Sequence, residues 1–203
     1  MTGIARRMLI AGALAVLLAP SLAAAQAPQT VRVRATIESI NGSMLDVKGR
    51  DGSMMKVQLA PNAPVNEIVK APLSDIKEGS YLAITAVPQP DGSQKAVAIL
   101  IFPPNVHPPE GFHPWDYSPN STMTNATVAN EVTSADGKTL TVKYKDGEKK
   151  IIVTSETVIV TTRKASAADL KSGQKIFVFA AKKQPDGTLE APNLAFGDYG
   201  VWR

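Results

Sequence analysis

The sequence predicts an all-β protein: two tandem, OB-like small antiparallel β-barrels that follow a signal peptide. Short runs of alternating apolar and polar residues are separated by tight-turn dipeptides, as in chains of short strands. The pattern also occurs twice, because the stretches 75–92 and 169–187 each contain a polar turn, a glycine, an apolar strand and a Gln-Pro-Asp-Gly hairpin tip. Self-similarity of this kind indicates an internal duplication.

Residues 1–25 have the features of a secretory signal peptide. Arg6 and Arg7 precede an apolar run, and three alanines end the segment at Ala25. The apolar run is shorter than the roughly 20 residues that span a bilayer, which favours a cleaved signal over a membrane anchor. We expect cleavage after Ala25, a periplasmic location and no membrane span in the mature chain.

Composition excludes several classes of function. The chain has no cysteine, so it has no disulfide, no thiolate nucleophile and no lipoprotein anchor. Its formal charge of +4 includes two arginines of the signal segment, which contains no acid, so the mature chain is near +2. Charges of both signs alternate along the chain without a dense basic run, and we therefore expect no nucleic-acid partner.

The first barrel is predicted over 30–102. Apolar residues alternate with Arg32, Arg34 and other polar residues, which predicts a strand with one buried face. The Asn-Gly dipeptide at 41–42 predicts a tight hairpin, because both positions of such a turn favour φ > 0. Prolines then interrupt the sheet, and the segment 72–76 predicts one helical turn before a second hairpin.

The second barrel is predicted over 123–198. Asp-Gly dipeptides at 136, 146 and 186 each follow a turn dipeptide of the first half by 95 residues. The strand after Gly173 has one residue more than its counterpart, and such a change flips the faces of a strand unless a bulge absorbs it. We therefore expect a bulge between positions 174 and 183.

The order of elements in each half is typical of an OB-like barrel. Three meandering strands are followed by a helical turn and a two-stranded hairpin. Another small barrel of five or six strands is the alternative, because closure of the barrel is not visible in a sequence.

The two halves are separated by a proline-rich linker at 103–122, called the strap below. Six of its twenty residues are proline, which predicts a stiff, extended chain. A flexible spacer would not need its aromatic residues, so we expect the strap to pack against one or both barrels. The tail at 199–203 is also aromatic and is expected to cover a barrel end.

The strap holds the candidate binding residues: Phe112, Trp115, Asp116 and Tyr117. Trp and Tyr are common hot-spot residues at interfaces, which favours a binding role. Internal contacts between the barrels are the other interpretation, and we consider them more frequent for such residues.

A metal site is an alternative use of the strap. His107, Glu110 and His113 are the only set that resembles metal ligands, and two histidines with a carboxylate can bind a divalent ion. The neighbouring prolines restrict how the rings converge, so histidines that hydrogen-bond or face water are the simpler interpretation.

The mature chain also resembles a family of uncharacterised exported bacterial proteins built from paired small β-barrel domains. The matching segments include the strap and its Pro-Trp-Asp motif: 31–37, 87–92, 101–103, 114–116, 121–126 and 180–187. Some relatives are automatically labelled metal ABC transporter permeases, which the lack of a spanning stretch disfavours. A basic residue is common before Pro-Trp-Asp in that family, and this chain has His113. The resemblance implies no catalytic residues.

Catalytic signatures are absent from the sequence: there is no Gly-x-Ser-x-Gly, no phosphate-binding loop and no dinucleotide fingerprint. We therefore expect a soluble periplasmic binding or adaptor protein without enzymatic activity or cofactor, whose partner is an envelope protein or a small ligand. A periplasmic metal-handling protein that uses the strap histidines is the alternative, and a hydrolase with an unrecognised site is a third hypothesis.

Overall fold

The computed structural model describes residues 29–134 and 137–197. The signal segment and the tail at 199–203 lie outside the described residues. Fourteen strands and two 3-10 turns occur in the described part, and the turns are Leu73–Asp75 and Ala167–Asp169. The strands are β1 (Thr30–Asn41), β2 (Met44–Gly49), β3 (Met54–Leu59), β4 (Val65–Lys70), β5 (Tyr81–Pro88), β6 (Gln94–Ile101), β7 (Gly111–Pro114), β8 (Thr122–Ser134), β9 (Gly137–Tyr144), β10 (Gly147–Val153), β11 (Val158–Ala165), β12 (Lys175–Lys183), β13 (Leu189–Ala191) and β14 (Leu194–Phe196). The all-β class is confirmed, as is the helical turn after position 72.

A first barrel closes through five strands in the order β1-β2-β3-β13-β12, with β12 returning to β1. Its meander is antiparallel, whereas β3 and β13 pair in parallel. This is the connectivity of an OB-like barrel. Apolar side chains of both halves fill it, among them Ile37, Leu45, Ile176 and Val178.

A second barrel repeats this connectivity in the order β8-β9-β10-β6-β5, with β5 returning to β8. Its parallel contact joins β10 and β6, as β3 and β13 are joined in the first barrel. The core contains Leu82, Ile84, Val128, Leu140 and Ile151. The first strand of each barrel has a bulge of one residue against the strand that follows it, at Glu38 in β1 and at Ala129 in β8. The corresponding strands of the two barrels therefore carry corresponding bulges.

The two halves of the chain exchange their hairpins. The first barrel combines β1–β3 of the first half with β12–β13 of the second, and the second barrel combines β8–β10 with β5–β6. The strands β4 and β11 carry the chain between barrels and pair with each other antiparallel, with an Arg163–Glu67 ion pair across the ribbon. The expectation that 30–102 and 123–198 each close a barrel of their own is therefore wrong.

The expected bulge in the second half is confirmed. Val31 pairs with Ala181 and Val33 pairs with Val178, so β12 has one residue more than β1 between these pairs. The bulge restores the inward direction of Ala181, which is fully buried.

The strap has a different place from the expected one. It leaves β6 and enters β8, which are both strands of the second barrel, and its strand β7 pairs with β8. It is thus a long connection within one barrel that also reaches the other.

No helix in the described ranges is both long and apolar enough for a membrane crossing.

Candidate functional site

The outer face of the first barrel carries two arginines and two phenylalanines on neighbouring strands. Val33 and its alternate neighbours point into the core, so Arg32 and Arg34 point outward from β1. On β12 the buried residues alternate with Phe177 and Phe179, and Arg34 pairs directly with Phe177 in the register. Large aromatic side chains on the outside of a strand call for a partner, because they would otherwise expose apolar surface.

The strap places Trp115 over these arginines. The Arg32 guanidinium carbon lies 4.0 Å from the Trp115 ring centre and 5.4 Å from the Phe179 ring centre. Arg34 lies 5.5 Å from Trp115 and 5.2 Å from Phe177. Each guanidinium thus lies near the Trp115 ring and one phenylalanine ring, an arrangement that is favourable electrostatically and covers apolar surface.

Asp116 forms ion pairs with both arginines. Arg34 donates from both terminal nitrogens to the two carboxylate oxygens of Asp116, at 2.7 and 2.8 Å, and Arg32 adds a third bond at 2.8 Å. The hydrogen bond from Arg34 is the main cause that lowers the pKa of Asp116 to about 2, against an ordinary value of 3.8. A bidentate arginine–carboxylate pair of this kind fixes the relative orientation of the two side chains and also stabilises the contact.

A short turn after Asp116 presents these two side chains. The Trp115 N–H donates to the Ser121 carbonyl at 2.8 Å, and the Ser118 N–H donates to Ser121 Oγ at 3.0 Å. Asn120 has a φ of 62° inside the turn, a conformation that asparagine tolerates better than most residues. The local hydrogen bonds therefore hold Trp115 and Asp116 at the first barrel.

The start of the strap is held on the second barrel. The Tyr81 hydroxyl donates to the Pro108 carbonyl at 2.6 Å, and Asn125 donates to the Pro109 carbonyl at 3.2 Å. Phe112 stacks on Tyr144 with ring centres 6.4 Å apart, and the Lys149 ammonium lies 4.4 Å from the Phe112 ring centre. The strap therefore contacts both barrels, as expected from its composition.

The four candidate binding residues consequently divide between two places. Trp115 and Asp116 meet on the arginines of the first barrel, whereas Phe112 packs on the second. Tyr117 is half-buried and follows Asp116 in the turn.

The three candidate metal ligands do not come together. The His107 ring contacts the Tyr81 ring edge-on at 4.8 Å, and the His113 ring contacts Trp115 at 5.8 Å. Within the described ranges, no group of three or more His, Asp or Glu side chains is placed to hold a metal ion.

Beside the Arg34–Asp116 contact lies a basic groove of about 400 Å³. It crosses the strands β2, β1 and β12, and its polar side chains are Arg34, Thr36, Lys48, Arg50 and Lys175. The Nε atom of Arg34 is buried and has no hydrogen-bond partner. Four cations and no carboxylate line this groove, which makes it electropositive.

A larger groove of about 870 Å³ lies near the loop at 60–64 and the end of β11. Its charged side chains are Lys164 and Glu190, and Glu190 already accepts a hydrogen bond from Gln184. Its lining is otherwise small, apolar or neutral, so it offers a ligand fewer strong contacts than the basic groove does.

Sequence reasoning missed the arginines and phenylalanines of the first barrel. Arg32 and Arg34 look like ordinary outward residues of a strand, and their partners are more than 80 positions away. A usable signal was the Phe-x-Phe pair at 177 and 179, because aromatic residues at outward positions imply something that covers or binds them.

Comparisons of the chain with family models, with curated proteins and with solved structures found no match. The fold and the site define an all-β protein with two strand-exchanged, OB-like barrels.

Proposed function

We propose that this protein is a soluble periplasmic binding or adaptor protein without catalytic activity. The signal segment supports export, and the resemblance to an exported family of paired small barrels supports the same assignment. The missing catalytic motifs support binding over turnover.

The observation that carries the proposal is the apolar rim beside the Trp115 contact. Phe179 is 59% exposed and Phe177 is half-buried on the outer face of β12. The Phe179 ring centre lies 5.4 Å from the Arg32 guanidinium carbon, which also contacts Trp115, and aromatic and arginine side chains dominate the energy of many interfaces. A rim of this composition fits the edge of a partner surface better than a solvated face.

Site-specific cross-linking tests the proposal. A photoreactive phenylalanine analogue replaces Phe179 in the exported full chain, and a second protein carries it at Met54, which is 61% exposed on β3 of the same barrel. We expect a discrete cross-linked product from position 179 in the periplasmic fraction and none from position 54. Equal products from both positions, or none from position 179, would contradict the proposed rim.

Export is tested separately on the same material. The N-terminus of protein recovered from the periplasmic fraction should begin at Gln26, because the signal segment is expected to be removed after Ala25. A protein that begins at Met1 would contradict export.

A further inference from the structure

We propose that the basic groove of the first barrel binds the phosphate group of a small phosphorylated molecule. This deepens the proposed function and rests on it, because it names the ligand class of a protein that binds without turnover.

The register places the cations around one point on the outer face. Thr36 of β1 pairs with Lys48 on one side and with Lys175 on the other. Arg34 lies two residues from Thr36 and therefore points to the same face, and Arg50 follows the end of β2. Side chains on neighbouring strands are close enough to share one small ligand.

Two nearby carboxylates, Asp116 and Asp51, are engaged elsewhere. Asp116 accepts from Arg34 and Arg32, and Asp51 accepts from the backbone and hydroxyl of Ser53 at 3.0 and 2.6 Å. Lys175 makes another interaction. The side chains most accessible to a ligand are therefore those of Lys48 and Arg50, which are both exposed. Like charges on adjacent strands repel, and a bound dianion would relieve that repulsion.

Arg34 supplies the fixed part of the site. Its two terminal nitrogens are held by Asp116, which sets the plane of the guanidinium, and its side chain is only 10% exposed. The Arg34 guanidinium is therefore already oriented before a ligand binds, which lowers the entropy cost of binding.

The shape and the donors favour a phosphate monoester. The volume of about 400 Å³ suits a small molecule and is far too small for a folded partner. Guanidinium and ammonium groups are the usual partners of phosphate, and a phosphate monoester carries about −1.5 to −2 charge near neutral pH and more acceptor oxygens than a carboxylate.

Titration calorimetry on the full mature chain tests this site. The probes are inorganic phosphate, glycerol 3-phosphate and glucose 6-phosphate, with glycerol and glucose as uncharged counterparts and phosphatidylglycerol vesicles as a lipid source of phosphate. We expect binding of at least one phosphorylated small molecule and none of its uncharged counterpart. Binding to the vesicles without binding to any small phosphate would overturn the proposal.

Charge-matched variants separate a built site from general attraction. Lys48→Gln combined with Arg50→Gln should weaken binding about tenfold or more, because two charged donors are lost. Lys77→Gln combined with Lys145→Gln removes the same charge at exposed positions outside the groove and should leave the affinity within about twofold. Equal losses in both variants would overturn the site. Circular dichroism verifies that both variants are folded.

The outcomes for the groove and for the proposed function can be told apart. Phosphorus NMR of the incubated ligand should show no hydrolysis, and turnover would leave the groove in place but contradict a non-catalytic role. No binding of small phosphates together with a cross-link at position 179 would overturn the groove and leave the binding protein intact.

Discussion

The two barrels share their strand order but differ in how the strap attaches to them. On the second barrel the strap adds a strand, since β7 pairs with β8 over four residues. On the first barrel it attaches through side chains, with Trp115 and Asp116 on Arg32 and Arg34. The positions of β8 that match these arginines are Met123 and Asn125, and Asn125 also holds the strap, at Pro109.

The two barrels are alike at buried core positions and differ at outward positions. Leu45 and Leu140 occupy matched positions in the two barrels, and both are fully buried. The outward positions of β1 and β8 diverge in charge. The arginines, the groove and the apolar rim all lie on the first barrel, so the features on which the proposed function rests are concentrated there.

Truncating a matched core leucine should have the largest effect. Leu45→Ala and Leu140→Ala each remove a fully buried side chain from one barrel, at a cost of about 2–5 kcal/mol in free energy of unfolding. Because each barrel contains strands from both halves, we expect one cooperative transition for either variant. Urea unfolding monitored by circular dichroism and by tryptophan fluorescence measures it, and two separate transitions would show that the barrels unfold independently.

The charged contact of the strap should have the next largest effect. Asp116→Asn leaves Arg34 and Arg32 without a carboxylate, and we expect a loss of about 1–2 kcal/mol, discounted because Asp116 is 47% exposed. The matched control is Glu156→Gln, which breaks the exposed ion pair with Lys95 at 2.8 Å and should have little effect. Equal losses in the two variants would contradict a special role for the strap contact.

The same contact should depend on pH. The folded protein holds the pKa of Asp116 at about 2, below its ordinary value of 3.8, so its stabilisation is complete above pH of about 4. It should be lost as the pH falls from 3.8 towards 2, where the carboxylate becomes protonated in the folded state as well. The stability difference between the wild type and Asp116→Asn, measured by urea unfolding, should therefore shrink over that range. A constant difference would argue against the ion pair.

Cutting the strap should have the smallest effect on assembly. A protease recognition sequence inserted between the exposed residues Asn105 and Val106 allows the chain to be divided into its two halves. The fragments should still elute as one particle in gel filtration, because each barrel is built from both of them. Separation of the native fragments would break the strand-exchange model, whereas separation only in denaturant supports it.

Much of the fold could be predicted because its signals are local. Alternation identified the strands, turn dipeptides identified the hairpins, and a one-residue difference in spacing identified the bulge in β12. The choice of hairpin partner is not local. The hairpin β5–β6 meets similar apolar strands in either barrel, and the extended strands β4 and β11, which pair with each other, lead to the far one.

The candidate site was predicted in part for the same reason. Trp115 stood out because aromatic residues are unexpected in a simple spacer, and Asp116 follows it in the Pro-Trp-Asp motif. Arg32 and Arg34 were not predicted as site residues. Their contacts depend on where the strap lies in the tertiary structure, and this cannot be seen from the local sequence.

The exchange of hairpins also limits when each barrel can close. The first barrel needs β1, which begins at Thr30, and β13, which ends at Ala191, so its closure joins residues from opposite ends of the chain. Contacts of such high sequence separation carry a large loop-closure entropy and slow the folding of β proteins. The first half alone leaves the edges of β1 and β3 without partners, and unpaired edges invite aggregation. Neither barrel can close before the second half is available, which places the aggregation risk in the interval before that half is free to fold.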